Sequence, residues 1–253
     1  PTPGRPYPRH MASKRARPAP QPDRDGPRTV GVELVWDEAH ARLVLRDLVL
    51  GARRSLFLST ANAKDVRVPA PVGTRDRARG RYVSLLGLLA ERVVDGLELR
   101  FLHAGALSRP FRAALARWPS LEPCLRACPR VHMKMIAKDG ERLYLGSANF
   151  TGAGLGERGD ERRNFELGMV TADDVLLDAA QARFDRIWRG AECGACKVRG
   201  ECPEPIDLLV KRLAAPRGAP RPTPKTATRP AARTSATKAQ ATKASTRRAP
   251  PRA

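Results

Sequence analysis

His132-Met133-Lys134 is followed after four residues by Asp139 and, six residues further on, by Gly146-Ser147-Ala148-Asn149. A neutral imidazole can attack the phosphorus of a phosphodiester and hold it as a phosphohistidine. Lys134 and the Asn149 amide suit the charge on the non-bridging oxygens, and Ser147 offers one more hydrogen bond. A carboxylate on the second imidazole nitrogen would fix its tautomer, and Glu166, in Asn164-Phe165-Glu166, is the candidate. This chemistry calls for no catalytic metal or cofactor.

Asp139-Gly140 stands between two alternating runs, a strong hairpin signal. As a two-residue turn it would set Lys138 opposite Glu141 and His132 opposite Ser147. His132, Lys134, Ser147 and Asn149 would then project from one face, because side chains two apart share a face and paired residues share it too. The bland alternative is a structural hairpin carrying a chance His and Lys. Four functional side chains on one face weigh against it.

The spacing H-x-K-x4-D-x6-G-S-x-N resembles the signature of the phospholipase D superfamily and matches it at every position. The resemblance extends to Glu166 and, more loosely, to the strand and helix order of residues 30–190. It implies an α/β/α sandwich with a mixed sheet. It also implies that His132 is the nucleophile, that Lys134 and Asn149 bind phosphate, that Ser147 assists and that Glu166 orients His132. Asp139 would sit in the turn with Gly140 and, like Gly146, be structural. Larger members of the superfamily carry two motifs that meet at a pseudo-twofold axis, one histidine attacking and the other protonating the leaving group. This chain has one H-x-K, and its other histidines, His10, His40 and His103, do not begin another. The second histidine would come from a second copy, so a homodimer is expected. The expected activity is phosphodiester hydrolysis, with a nuclease acting on DNA or RNA as the leading reading. A phospholipid-cleaving enzyme and a non-catalytic DNA-binding scaffold are the alternatives.

The elements needed to position these groups can be read from the pattern. Residues 29–36, 55–60, 97–102, 131–137, 142–146 and 164–170 read as strands. Asp37 is expected to cap a helix burying Leu45, Leu48, Val49 and Ala52. A second helix buries Tyr82, Leu85, Leu86, Leu89 and Val93 and stops at Gly96, and residues 108–118 form a third. The last opens at Thr171-x-x-Asp174, buries Leu177, Ala180, Phe184 and Ile187, and ends at Gly190. Alternating strands and helices, then a hairpin, predict an α/β fold over residues 29–190. Gly152–Gly156 lacks a nucleotide-loop spacing and reads as a loop beside the site.

The formal charge is +21, and most of the excess lies at the ends. Residues 1–28 hold seven basic and two acidic side chains, and residues 214–253 hold ten basic and none acidic. Both segments are rich in Pro and poor in large apolar residues, a composition expected to stay disordered. Met11 is a candidate start. Such charge suggests a polyanionic partner, nucleic acid above all. No run is apolar and long enough to span a bilayer, so a cytoplasmic location is the default expectation.

Residues 191–213 contain Cys193-x2-Cys196-x5-Cys202-Pro203, three of the five cysteines. With Cys124 or Cys128 as a fourth ligand they could hold a structural zinc or an iron–sulfur cluster. Reduced thiols without a metal and a redox disulfide are the other readings.

Overall fold

The computed structural model describes Pro27, residues 29–105 and residues 107–214. Apart from Pro27 and Ala214, the basic segments expected at 1–28 and 214–253 lie outside the described residues.

The elements run β1 (Glu33–Trp36), a π-helix (His40–Val49), β2 (Ser55–Thr60), β3 (Arg67–Pro69), α1 (Arg75–Ala78), β4 (Tyr82–Ser84), α2 (Leu85–Val94), β5 (Glu98–His103) and α3 (Arg109–Arg117). A 3-10 turn (Pro119–Cys124) leads into β6 (Leu125–Ala127), β7 (Lys134–Lys138) and β8 (Arg142–Gly146). β9 (Leu167–Thr171), α4 (Asp174–Trp188) and α5 (Ile206–Ala214) complete it. Seven strands form one sheet in the order β1-β9-β8-β7-β2-β5-β6. β2, β5 and β6 are parallel, and from β2 outward through β7, β8, β9 and β1 each pair is antiparallel.

Strand alternation divides the apolar residues between two faces. Leu56, Leu58, Phe101, Ile136, Tyr144 and Val170 face the π-helix, α2 and α3. Phe57, Leu102, Met135, Ala137 and Leu143 face Leu177, Phe184 and Trp188 of α4, with Ile206 of α5 beside them. The expected α/β/α sandwich with a mixed sheet is therefore the observed one.

Several local expectations are corrected. Residues 40–49 wind as a π-helix, which buries His40, Leu43, Val44, Leu45, Leu48 and Val49. Asp37 does not cap it; its backbone turns at φ +36° and its carboxylate goes elsewhere. Tyr82 is exposed in β4, which pairs with β3, and Ser84 then caps α2 by accepting from the Gly87 amide at 3.1 Å. β6 was not anticipated, being only three residues. Asp173, rather than Thr171, caps α4, accepting from Leu176 N at 2.8 Å.

The hairpin also departs from the simple register. The Glu141 amide closes the turn on the Lys138 carbonyl at 2.9 Å, with φ +55° at Asp139 and +70° at Gly140. The ladder nevertheless resumes at Lys138↔Arg142, leaving Glu141 as an extra residue. Its carboxylate is drawn out to Arg54 Nη2 at 2.7 Å. Lys134 therefore pairs with Gly146, and His132 falls one position out of line with Ser147.

Asp139 itself ties the hairpin to the start of β2. Its Oδ1 accepts from the amides of Arg54 (2.7 Å), Ser55 (2.9 Å) and Arg53 (3.1 Å). Burial alone would raise its pKa, but these three donors outweigh burial and hold it below the ordinary value. A depressed folded pKa contributes stability that is present above the unfolded value and lost as pH falls through the folded one. Asp139→Asn keeps a residue that tolerates positive φ but removes the charge, and should cost about 1 kcal/mol at pH 7. Denaturant melts should show this gap closing on acidification below the usual aspartate range. A gap that did not change with pH would mean that the charge is not what matters.

Candidate active site

One end of the sheet gathers the chemistry. There the last residues of β1, β2, β5, β6 and β8 lie level with the first residues of β7 and β9. Lys134 opens β7 and Gly146 closes β8, so both sides of the motif reach this edge. His132, Ser147, Asn149 and Glu166 all lie just outside the strands, on backbone that the ladder does not occupy.

His132 is exposed on the approach to β7. The Lys134 ammonium donates to the His132 carbonyl at 2.9 Å and lies 3.2 Å from Nδ1 of its ring. The Ser59 hydroxyl donates to the Met133 carbonyl at 3.1 Å and fixes this approach to β2.

Asn149 is held by its oxygen. Oδ1 accepts from the Asn62 amide at 3.0 Å and from Thr60 Oγ1 at 3.3 Å, which directs Nδ2 to serve as a donor. Thr60 also accepts from the Phe150 amide at 3.0 Å, so the end of β2 carries the Asn149 segment.

Ser147 donates to Glu166 Oε2 and accepts from the Leu167 amide at 3.1 Å. Glu166 is buried, and its Oε1 accepts from Asn164 Nδ2 at 2.9 Å. The carboxylate expected to orient His132 is thus bonded to Ser147 and Asn164. The cause is local: the chain bends at Ser147 where β8 ends, which turns its hydroxyl to the entry of β9. Asp37 supports Glu166 from β1, its Oδ1 accepting from the Glu166 amide at 2.8 Å and its own amide donating to the Glu166 carbonyl at 3.0 Å.

Beneath this edge lies a group that sequence reasoning missed. The buried Tyr144 ring lies over Gly146 and Gly168, which face each other across β8 and β9. Its hydroxyl meets His40 Nε2 at 2.9 Å, and His40 Nδ1 lies 2.9 Å from the Asp37 carbonyl. The ring can satisfy that carbonyl only by donating from Nδ1, so Nε2 accepts from Tyr144. Burial pushes the His40 pKa down and the Tyr144 pKa above its ordinary value, so both stay neutral at pH 7. The signal available was a lone His on an apolar helix face, which reads as core. His103, also buried, ends β5 at the same edge, with Nδ1 2.9 Å from the Gly105 carbonyl.

Cys193, Cys196 and Cys202 line a narrow cavity together with Cys128. Cys124 faces the other core, its thiol donating to the Ser120 carbonyl at 3.6 Å.

Residues 100–188 match the family described as "Cardiolipin synthase, PLD-like domain". No curated protein matches the chain. Among solved structures it is similar to Nuc from Salmonella typhimurium, a phospholipase D family member, at 17% identity. That match covers 64% of this chain and 95% of Nuc, with a TM-score of 0.45. NucT from Helicobacter pylori is 16% identical over 62% of this chain and 95% of NucT, with a TM-score of 0.42. TrmBL2, an archaeal chromatin protein, is 16% identical over 62% of this chain and 52% of its own length, also with a TM-score of 0.42. The matched segment spans β5 to the end of α4 and contains the whole motif from His132 to Asn149 together with Glu166. Over this segment the chain is similar to the phospholipase D-like family.

The tyrosine and its glycines give a sharp test. A Cβ on Gly168 would lie 2.3 Å from Tyr144 Cε2, and its three nearest neighbours are all atoms of that side chain. Gly168→Ala should destabilise the fold by about 1–3 kcal/mol through overpacking. Combined with Tyr144→Ala it should cost nothing further, since the obstructing ring is gone. Additive losses in a double-mutant cycle would show that Gly168 is required for some other reason.

Proposed function

We propose that this chain is a metal-independent nuclease that hydrolyses phosphodiester bonds through a phosphohistidine on His132, working as a homodimer. The observation that supports this reading is that His132, Lys134, Ser147 and Asn149 all stand at or just beyond the same end of the sheet. A His132 ring nitrogen attacks phosphorus, forming a P–N bond while the P–O bond to the leaving group breaks. The leaving oxygen takes a proton from His132 of the partner subunit. That imidazole, now neutral, takes a proton from water, whose oxygen displaces His132 and leaves a phosphomonoester. Lys134 and Asn149 Nδ2 bind the non-bridging oxygens, both already anchored by other bonds and so needing little rearrangement. Glu166 holds Ser147 in place, and Ser147 assists at the phosphate.

An exposed apolar face supports the second copy. Trp36 is 55% exposed and pairs with Leu167, itself 47% exposed, while Phe165 beside Glu166 is 96% exposed. Leu34 continues this face along β1. Large apolar side chains grouped beside the candidate site fit a twofold contact that brings two His132 side chains together. The exposure of His132 and Ser147 fits as well, because a second copy would wall the site.

The charge of +21 favours nucleic acid as the substrate. Cleavage of plasmid, single-stranded DNA, RNA and phospholipid vesicles should be compared in EDTA, and a nucleic acid should be the substrate turned over. Cleavage that needs added Mg²⁺, with no covalent adduct on His132, would refute the chemistry.

Subunit mixing tests the shared site. After full exchange of equal amounts of wild type and His132→Ala, only about a quarter of dimers keep both histidines by binomial pairing. Activity should fall towards that quarter of the pure wild-type value at equal total protein. Retention of about half, together with a monomeric mass by light scattering, would mean that each chain works alone.

The ten basic residues of 214–253 should act on affinity rather than on chemistry. Removing them should flatten the dependence of log affinity for DNA on log salt and leave the single-turnover rate at saturation nearly unchanged. An unchanged slope would exclude these residues as a DNA contact.

A further inference from the structure

The cysteine segment is built to a period of three. Beyond α4 the chain turns at Gly190, with φ +73°, and successive amides then bond three residues back. Cys193 donates to Gly190, Cys196 to Cys193, Arg199 to Cys196 and Cys202 to Arg199, at 3.0–3.3 Å. Cys193, Cys196, Arg199 and Cys202, the residues at these turn positions, all line one cavity. Arg199 locks the run, donating to the Asp207 carboxylate at 2.6 and 2.9 Å and to the Cys193 carbonyl at 3.3 Å.

The fourth cysteine arrives from a different part of the fold. Cys128 follows β6, its amide donating to the His103 carbonyl at 2.9 Å, and its carbonyl accepts from Val131 at 2.9 Å. That turn leads directly into His132. Cys128, Cys193, Cys196 and Cys202 line one cavity, walled by Pro129, Arg130, Pro205 and Ile206. All four are free thiols.

We propose that Cys128, Cys193, Cys196 and Cys202 bind a thiophilic metal centre, a zinc ion or an iron–sulfur cluster, which clasps the C-terminal segment to the turn that presents His132. Four thiolates satisfy a tetrahedral zinc site or a four-iron cluster alike. Among the described residues no group of three or more ligand side chains is arranged to hold a metal ion as it stands. Binding therefore turns the cysteine side chains, each with one heavy-atom torsion, into the cavity they line. The centre is structural and takes no part in phosphoryl transfer. Cys124, in the other core, is excluded from it.

The test uses the full chain purified without oxygen and needs no activity measurement. Elemental analysis should find about one zinc, or about four iron with matching sulfide, per chain. The iron form would add visible charge-transfer absorption, and the zinc form would not. Cys128→Ser and Cys202→Ser should each lose most of the metal, whereas Cys124→Ser should retain it. Should the serine variants fail to fold, the wild-type chain stripped of metal and titrated with Cd²⁺ still decides the matter. Cadmium–thiolate absorption should saturate near one equivalent, with four of the five thiols protected from a thiol reagent. Protein that carries no metal as isolated, shows no cadmium–thiolate band and leaves all five thiols reactive would overturn the proposal.

Discussion

A tyrosine ring laid across two facing glycines sets the register on which the rest of this end of the molecule depends. Tyr144 can cover Gly146 and Gly168 only because neither carries a Cβ; at both positions a methyl group would enter the ring. Its buried hydroxyl needs a partner, and His40 on the π-helix supplies one. A slip of β8 by one residue would move Tyr144 to the α4 side and leave His40 unpaired inside the core. The same slip would carry Ser147 away from Glu166. Packing in the core thus fixes which polar groups meet at the edge.

The two ends of the central hairpin are held by carboxylates in different ways. At the turn, Asp139 gathers three successive amides from the start of β2. At the open end, Asp37 just after β1 and Glu166 just before β9 exchange backbone and side-chain bonds. Between these ends the backbone is consumed by the ladder, and side chains serve packing. Beyond the strand ends the backbone is free of the ladder, and polar side chains take over as its partners. That is why Asn149, Ser147 and Glu166 stand where the strands stop, each held by at least one bond before any ligand arrives.

The turn after β6 joins two parts of the molecule that look unrelated in the sequence. Cys128 faces the C-terminal cysteine run, and His132 follows from the same turn. The turn that leads into His132 therefore packs against residues beyond α4. Arg199 and Asp207 reinforce that packing with a paired salt bridge.

The sequence by itself determined the α/β architecture, because alternation and helical periodicity are local and survive in the one-dimensional pattern. It also determined the H-x-K…G-S-x-N constellation and the turn at Asp139-Gly140, where spacing and residue type are enough. It did not reveal the extra residue at Glu141, since that depends on Arg54 reaching across from another strand. Nor did it show that Glu166 pairs with Ser147, or that His40 meets Tyr144, contacts made between residues far apart in the chain. The choice of Cys128 over Cys124 has the same origin: the two lie four residues apart, and β6 and its turn send them to opposite faces of the sheet. Short-range chemistry is written in spacing, whereas partners across the sheet are decided only when strands and helices pack together.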